Sequence, residues 1–260
     1  MTFVDTHTHL HFEHYQKDLD EVVHRAHKDE IAQIITAGTD LESSENTLQI
    51  AKKYNGIFAA VGIHPSEAHL AKEENFDALK RLALGEDKVI AIGEIGLDFY
   101  WEKAYAEEQY NIFRRMLKIS IEVELPVIIH NRSAHREMEW FFQEERIDLL
   151  KGVMHCFSGD KIDARFYLDM GLHISFTGNI TYPDFKKLDV VKYIPLNRIL
   201  LETDSPYMTP EPYRKTRNEP CYLKLIATKL AELYQKPVEE IAAITSENSK
   251  SLFNLPQPLS

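Results

Sequence analysis

The feature that most constrains this chain is a recurrence of short, Val- and Ile-rich runs, each followed by an amphipathic stretch. The runs are Phe3–His7, Ile31–Ala37, Ile57–Ile63, Val89–Gly93, Pro126–His130, Gly152–His155, Leu172–Phe176 and Arg198–Glu202. They are mostly continuous rather than alternating, as expected of parallel strands covered on both faces. Helical patterns lie among and after them: Asp18–His27, Glu42–Tyr54, Leu223–Tyr234, Val238–Phe253 and the longest, Ala104–Glu124. That last stretch sets Ile112, Met116, Ile119 and Val123 at helical spacing on one face. Alternating strand and helix demands βαβ crossovers. Eight such units in 260 residues predict an α/β fold, a TIM (β/α)8 barrel occupying 1–260 as a single domain. A doubly wound open sheet is the alternative. No Gly/Ser linker, low-complexity block or repeat divides the chain. Pro206, Pro210, Pro212 and Pro220 break helix and strand alike, which predicts one long loop after the eighth strand.

The chain carries 41 acidic and 30 basic side chains, a formal charge of −11. That balance argues against gripping nucleic acid through a broad basic surface. It leaves room for a local site that brings its own positive charge. Cys156 and Cys221 are too few for a disulfide framework or a four-thiolate zinc site, and fit reduced thiols in the cytoplasm. The start lacks the basic and apolar regions of a signal peptide, and no apolar run approaches the ~20 residues of a membrane span. A soluble cytoplasmic protein is expected, monomeric or weakly self-associating, with no membrane partner.

Asp5-Thr-His7-Thr-His9 closes the first run. Residues two apart on a strand share a face, so Asp5, His7 and His9 point together. Two neutral imidazoles at that spacing can grip one metal ion; alone, they read equally as a solvated polar strand end. The pattern repeats, however. Glu94, His130 and His155 end the fourth, fifth and sixth runs, and Asp204 lies just past the eighth. In a barrel those ends meet on one face, where barrel active sites lie. Six such residues exceed what one tetrahedral ion takes. They suit two ions bridged by a carboxylate, for which Glu94, from a middle strand, is the candidate. Paired ions lower the pKa of a bound water and stabilise attacking and leaving oxygens together, which implies hydrolysis. Lys88 precedes the fourth strand and lies at the wrong end to serve as a carboxylated-lysine bridge.

With these residues in view, the chain resembles the TatD family of metal-dependent deoxyribonucleases, among the amidohydrolase-like barrels. The matching motifs are Asp5-Thr-His-Thr-His9, Gly62-Ile-His-Pro65, Gly93-Glu-Ile-Gly-Leu-Asp98, His130-Asn-Arg132, His155-Cys-Phe-Ser-Gly159, Leu201-Glu-Thr-Asp-Ser-Pro206 and Arg217-Asn-Glu-Pro220. The resemblance implies that His7, His9, Glu94 and Asp204 hold one divalent ion, and Glu94, His130 and His155 another. It also implies a 3′→5′ exonuclease on single-stranded DNA ends, with some apurinic-site activity. Histidine-rich ligation favours Zn or Mn, whereas nuclease chemistry often runs on Mg. An amide, ester or lactone hydrolase on the same barrel is the competing expectation. The family usually has a glycine after the arginine at 214; this chain has Lys215. Two ions would add about +4 at a mouth whose ligands include two carboxylates, Glu94 and Asp204. A locally positive mouth is therefore expected, with DNA as substrate, no stable nucleic-acid complex and a shallow dependence on salt.

The supporting residues carry paired readings. His64 is, by resemblance, a phosphate contact or a proton donor, with a pKa tuned near neutrality. Arg132 reaches a phosphate oxygen or a salt bridge on a barrel helix. Ser158 and Gly159 offer backbone N–H groups to a phosphate or form a tight turn. Asp204 ligates and takes a proton from water; Glu202 and Asp5 orient ligands from behind. Tyr100 and Trp101 stack on bases or pack over the barrel mouth. His11, His14, His24, His27, His69, His135 and His173 are expected at the solvated surface.

Overall fold

Eight parallel strands pair in strict chain order: β1 Phe3–Thr8, β2 Ile31–Ala37, β3 Ile57–Val61, β4 Val89–Asp98, β5 Val127–Arg132, β6 Gly152–Met154, β7 His173–Phe176 and β8 Ile199–Leu201. The structure is a computed structural model and describes residues 2–101 and 103–257. The seam between β1 and β8 is closed by Asp204 N–H to His7 O at 2.9 Å, His9 N–H to Ser205 O at 2.8 Å and Thr6 Oγ1 to Leu201 O at 3.0 Å. The sheet is therefore a barrel, not the open doubly wound alternative.

The crossovers are α1 Leu19–Lys28, α2 Leu41–Lys53, α3 Glu73–Gly85, α4 Ala106–Val123, α5 His135–Glu144, α6 Lys161–Asp169 and α7 Leu188–Val191, followed by α8 Leu223–Tyr234 and α9 Val238–Phe253. α4 buries Ile112, Met116 and Ile119 as its period requires, with Val123 partly buried. α2 starts in a reciprocal cap: Asp40 Oδ1 accepts the Ser43 N–H and Ser43 Oγ accepts the Asp40 N–H, both at 2.8 Å. α7 is a single turn, too short to show a period. Residues 202–219 form neither helix nor strand beyond one bridge of Ser205 to Thr8. The predicted proline loop thus stops short of Pro220, which opens a 3-10 turn leading into α8.

The strands have two apolar surfaces. One faces the helices. The other, from Val4, Ile35, Phe58, Ala60, Ile90, Ile128, Val153 and Leu200, meets Leu252, Phe253 and Leu255 at the end of α9. That helix is tied to the N-terminal ends of β8 and β1 by Asn248 Nδ2 to Ile199 O at 2.8 Å and Ser246 Oγ to Thr2 O at 2.9 Å. Ile128, Val153 and Leu200 lie two residues before His130, His155 and Glu202, so the polar residues stand on the same strand faces one rung further along.

β4 outruns its predicted end at Gly93 by five residues, because Ile95, Gly96, Leu97 and Asp98 keep pairing with Ile129 to Arg132 of β5. The pairing shifts register between Ile92 and Ile95, an irregularity of the kind that re-aims side chains, and Glu94 lies inside it. Gly96 sits at φ +147°, where a Cβ would lie 1.9 Å from His130 O. Only glycine lets β4 pass this close to β5.

Candidate metal centre

Glu94 is 3% exposed and divides its two oxygens between two sets of imidazoles. Oε2 lies 3.3 Å from His7 Nε2 and 3.4 Å from His9 Nε2. Oε1 lies 2.6 Å from His130 Nδ1 and 2.8 Å from His155 Nε2. Asp204 joins the first set, its Oδ1 3.8 Å from His7 Nε2 and 3.6 Å from His9 Nε2. All six residues singled out in the sequence thus converge. Three overlapping groups could each hold an ion: His7, His9 and Glu94; His7, His155 and Asp204; His64, Glu94 and His130.

Buried charges persist only when paired. Burial opposes an ionised Glu94, but His155 nearby and the hydrogen bond with His130 hold its carboxyl well below the usual range. Burial likewise opposes a charged His155, yet Glu94 and Glu202 raise it well above the ordinary imidazole value. Burial pushes Asp204 up.

The outer atoms decide which nitrogen faces inward. His9 Nδ1 is 3.0 Å from Ala37 O, so it carries the proton and leaves the Nε2 lone pair toward the centre. His155 Nδ1 is 3.3 Å from Glu202 Oε1, and that carboxylate is itself fixed by Ser175 Oγ at 2.7 Å and Cys156 N–H at 2.6 Å. His130 is turned the other way: Nδ1 faces Glu94 and Nε2 meets Asp98 Oδ2 at 3.1 Å. Imidazole nitrogens converging on shared carboxylate oxygens, with His9 and His130 each held by an outer acceptor, form a donor set that fits divalent ions.

His64 differs. The Ser66 N–H donates to its Nδ1 at 3.1 Å, which leaves the proton on Nε2, 3.6 Å from Glu94 Oε1. Burial pushes its pKa down to about 3 rather than near neutrality. It is a neutral N–H donor aimed into the site, not an imidazolium acid. Among the described residues Arg132 makes no salt bridge to a helix; its guanidinium carbon lies 4.3 Å over the Tyr100 ring. Tyr100 and Trp101 are exposed on the turn after β4. Ser158 is exposed at the rim, its carbonyl accepting from Lys187. Asp5 orients no imidazole: its carboxylate takes the Thr203 N–H at 2.9 Å and the Thr203 hydroxyl at 2.6 Å, pinning the backbone beside Asp204. His11, His135 and His173 are half-buried, contrary to the surface expectation, since a neutral imidazole tolerates partial burial; His14, His24, His27 and His69 are exposed.

Two contributors were missed. Asp98 supports His130, and Asn218 Nδ2 bonds Thr203 O at 2.9 Å and Tyr207 O, spanning the turn where Asp204 takes φ +54°. Their motifs were visible, but which group each would meet depends on neighbours distant in the chain. Arg217 is spent within the fold, its Nη2 bonding Asp18 at 2.6 Å and Glu219 at 2.7 Å. Lys215 sits at φ +84°, the left-handed region that glycine favours.

The family model described as TatD related DNase matches residues 4–254. The chain is 42% identical over 252 residues to a Bacillus subtilis protein named uncharacterized metal-dependent hydrolase YabD, covering 96% of this chain and 98% of that one. It is 34% identical over 247 residues to the 3'-5' ssDNA/RNA exonuclease TatD of Cronobacter sakazakii, covering 92% and 93%. The crystal structure of YjjV, a TatD homolog from Escherichia coli, superposes with a TM-score of 0.91 at 32% identity, covering 98% of each chain.

Proposed function

The chain belongs to the TatD family of metal-dependent hydrolases, and from that premise we propose that it is a two-ion nuclease trimming single-stranded DNA from the 3′ end. The observation that carries this reading is the division of Glu94, with Oε2 toward His7 and His9 and Oε1 toward His130 and His155. One carboxylate so placed bridges two positions. Divalent ions held there would lower the pKa of a bound water and neutralise charge building on the phosphodiester. Nitrogen-rich donors favour Mn or Zn over Mg.

The chain's own groups divide the remaining work. Asp204 is the most exposed carboxylate of the cluster, 15% against 3% for Glu94, and faces entering water as proton acceptor. His64 Nε2–H donates to a phosphate oxygen, and Arg132 and Ser158 contact the phosphate from the rim. Four carboxylates, Glu94, Asp98, Glu202 and Asp204, surround the centre, twice the number counted from the ligands alone. About +4 from two ions is then balanced, not exceeded. Phosphate attraction beyond the ions falls to a few side chains, so binding stays transient and its salt dependence shallow. No helix among the described residues is long and apolar enough to cross a membrane, and free Cys156 and Cys221 fit a cytoplasmic setting.

The test is release of nucleotides from a 3′-labelled single strand by chelated protein after add-back of Mg, Mn or Zn. Restored cleavage is expected. Inertness toward DNA alongside turnover of a lactone or amide panel would transfer the site to small-molecule hydrolysis.

A further inference from the structure

The turn leaving β4 presents two large aromatic rings to solvent beside the candidate centre. Tyr100 is 57% and Trp101 67% exposed, and their rings meet edge to face at 4.7 Å. The Arg132 guanidinium carbon lies 4.3 Å from the Tyr100 ring and 5.5 Å from that of Trp101. Among the described residues, Arg132 has no carboxylate partner.

Exposed rings on a loose loop would say little, but this turn is tied down. Asp98 Oδ1 accepts the N–H groups of Tyr100 and Trp101, both at 2.9 Å. Gln109 brackets Asp98, its Oε1 accepting the Asp98 N–H at 2.8 Å and its Nε2 donating to Asp98 O at 3.1 Å. Phe99 N–H reaches Arg132 O at 2.9 Å. The other Asp98 oxygen holds His130 Nε2 at 3.1 Å. One carboxylate therefore fixes both the aromatic turn and a candidate ligand.

Flat π faces beside a guanidinium held against them match a nucleobase joined to a phosphate. The rings stack on any base, and the guanidinium fork suits a phosphate oxygen. A base inside a duplex has both faces covered by its neighbours; an unpaired base has a face free. We propose that Tyr100, Trp101 and Arg132 form a stacking subsite for an unpaired nucleobase flanking the scissile phosphate, and that this subsite selects single-stranded ends. The inference rests on the nuclease reading and names the substrate feature which that site recognises.

Trp101 and Trp140 are the two tryptophans of the chain, so Trp140→Phe leaves Trp101 as the sole indole. With Mn present, a cleavage-resistant phosphorothioate oligothymidylate is expected to quench its fluorescence saturably. A blunt duplex and a baseless tetrahydrofuran oligomer of equal length should not. In cleavage assays, Trp101→Ala and Tyr100→Ala are each expected to raise KM for a single strand by roughly 5- to 150-fold, with a smaller change in kcat. Trp101→Phe should recover most of the loss. Equal quenching by all three probes, or no quenching, overturns the subsite. So does a wild-type KM in both alanine variants while DNA is still cleaved, which leaves the nuclease reading standing. Base-dependent quenching with no cleavage under any ion keeps the subsite and overturns the nuclease reading. A turn that binds only another protein would give neither quenching nor a KM change.

Discussion

At Ile128, β5 contributes to a sealed apolar interior; two residues on, at His130, it contributes to a cluster of charges around Glu94. β6 makes the same change between Val153 and His155, and β8 between Leu200 and Glu202. The strand face is continuous, so what differs is what covers it. The N-terminal end is capped by the last turn of α9. The C-terminal end opens through loops that bring solvent to Asp204 and His64. Charge is held there because each buried carboxylate meets an imidazole or a backbone donor. The barrel thereby separates stability from chemistry along the strand direction, and substitutions at its two ends should fail in different ways.

The strongest break of that separation is Glu94→Gln. Loss of the shared carboxylate should lower divalent-dependent hydrolysis by about a thousand-fold or more, with circular dichroism unchanged. Leu200→Ala probes the other end. It should cost ~2–5 kcal/mol in urea unfolding and leave kcat per folded molecule within about threefold. A collapse of kcat in Leu200→Ala as deep as in Glu94→Gln would erase the distinction.

Glu202→Gln sits at the boundary. It removes the carboxylate behind His155 and should weaken metal affinity roughly 10- to 100-fold, read by competition with a chromophoric chelator. His173, at the N-terminal end of β7, tests the lower end by pH. Burial and then Arg198 push its pKa down to about 4 from an ordinary 6.5. The unfolded chain takes the proton first, so this contribution to stability is full above pH 6.5 and falls progressively toward pH 4. His173→Gln should remove about 1–2 kcal/mol of that decline, seen as the difference between the two urea-stability profiles. The smallest effect belongs to Lys215→Gly, which relieves a left-handed residue but loosens the unfolded chain. A gain of up to ~1 kcal/mol is expected, with activity unchanged.

Strand periodicity locates the barrel because buried parallel strands are apolar on both faces, and the six converging residues are legible because each ends such a run or lies within two residues of its end. What escaped was set by partners across the barrel. β4 runs on through Glu94-Ile-Gly-Leu-Asp98 only because β5 pairs with it, which no local pattern announces. The His64 tautomer depends on the Ser66 N–H, and the placement of the Arg132 guanidinium on the Tyr100 ring beneath it. The three half-buried histidines were misplaced because an imidazole suits either environment.

Everything at the C-terminal end of the barrel turns on Glu94 joining two ion positions. Anomalous diffraction at the manganese edge, on crystals equilibrated with Mn, tests it directly. Two peaks flanking the carboxylate are expected, one against Oε2 with His7 and His9, the other against Oε1 with His130 and His155. A single peak, or a pair that does not share Glu94, would contradict it.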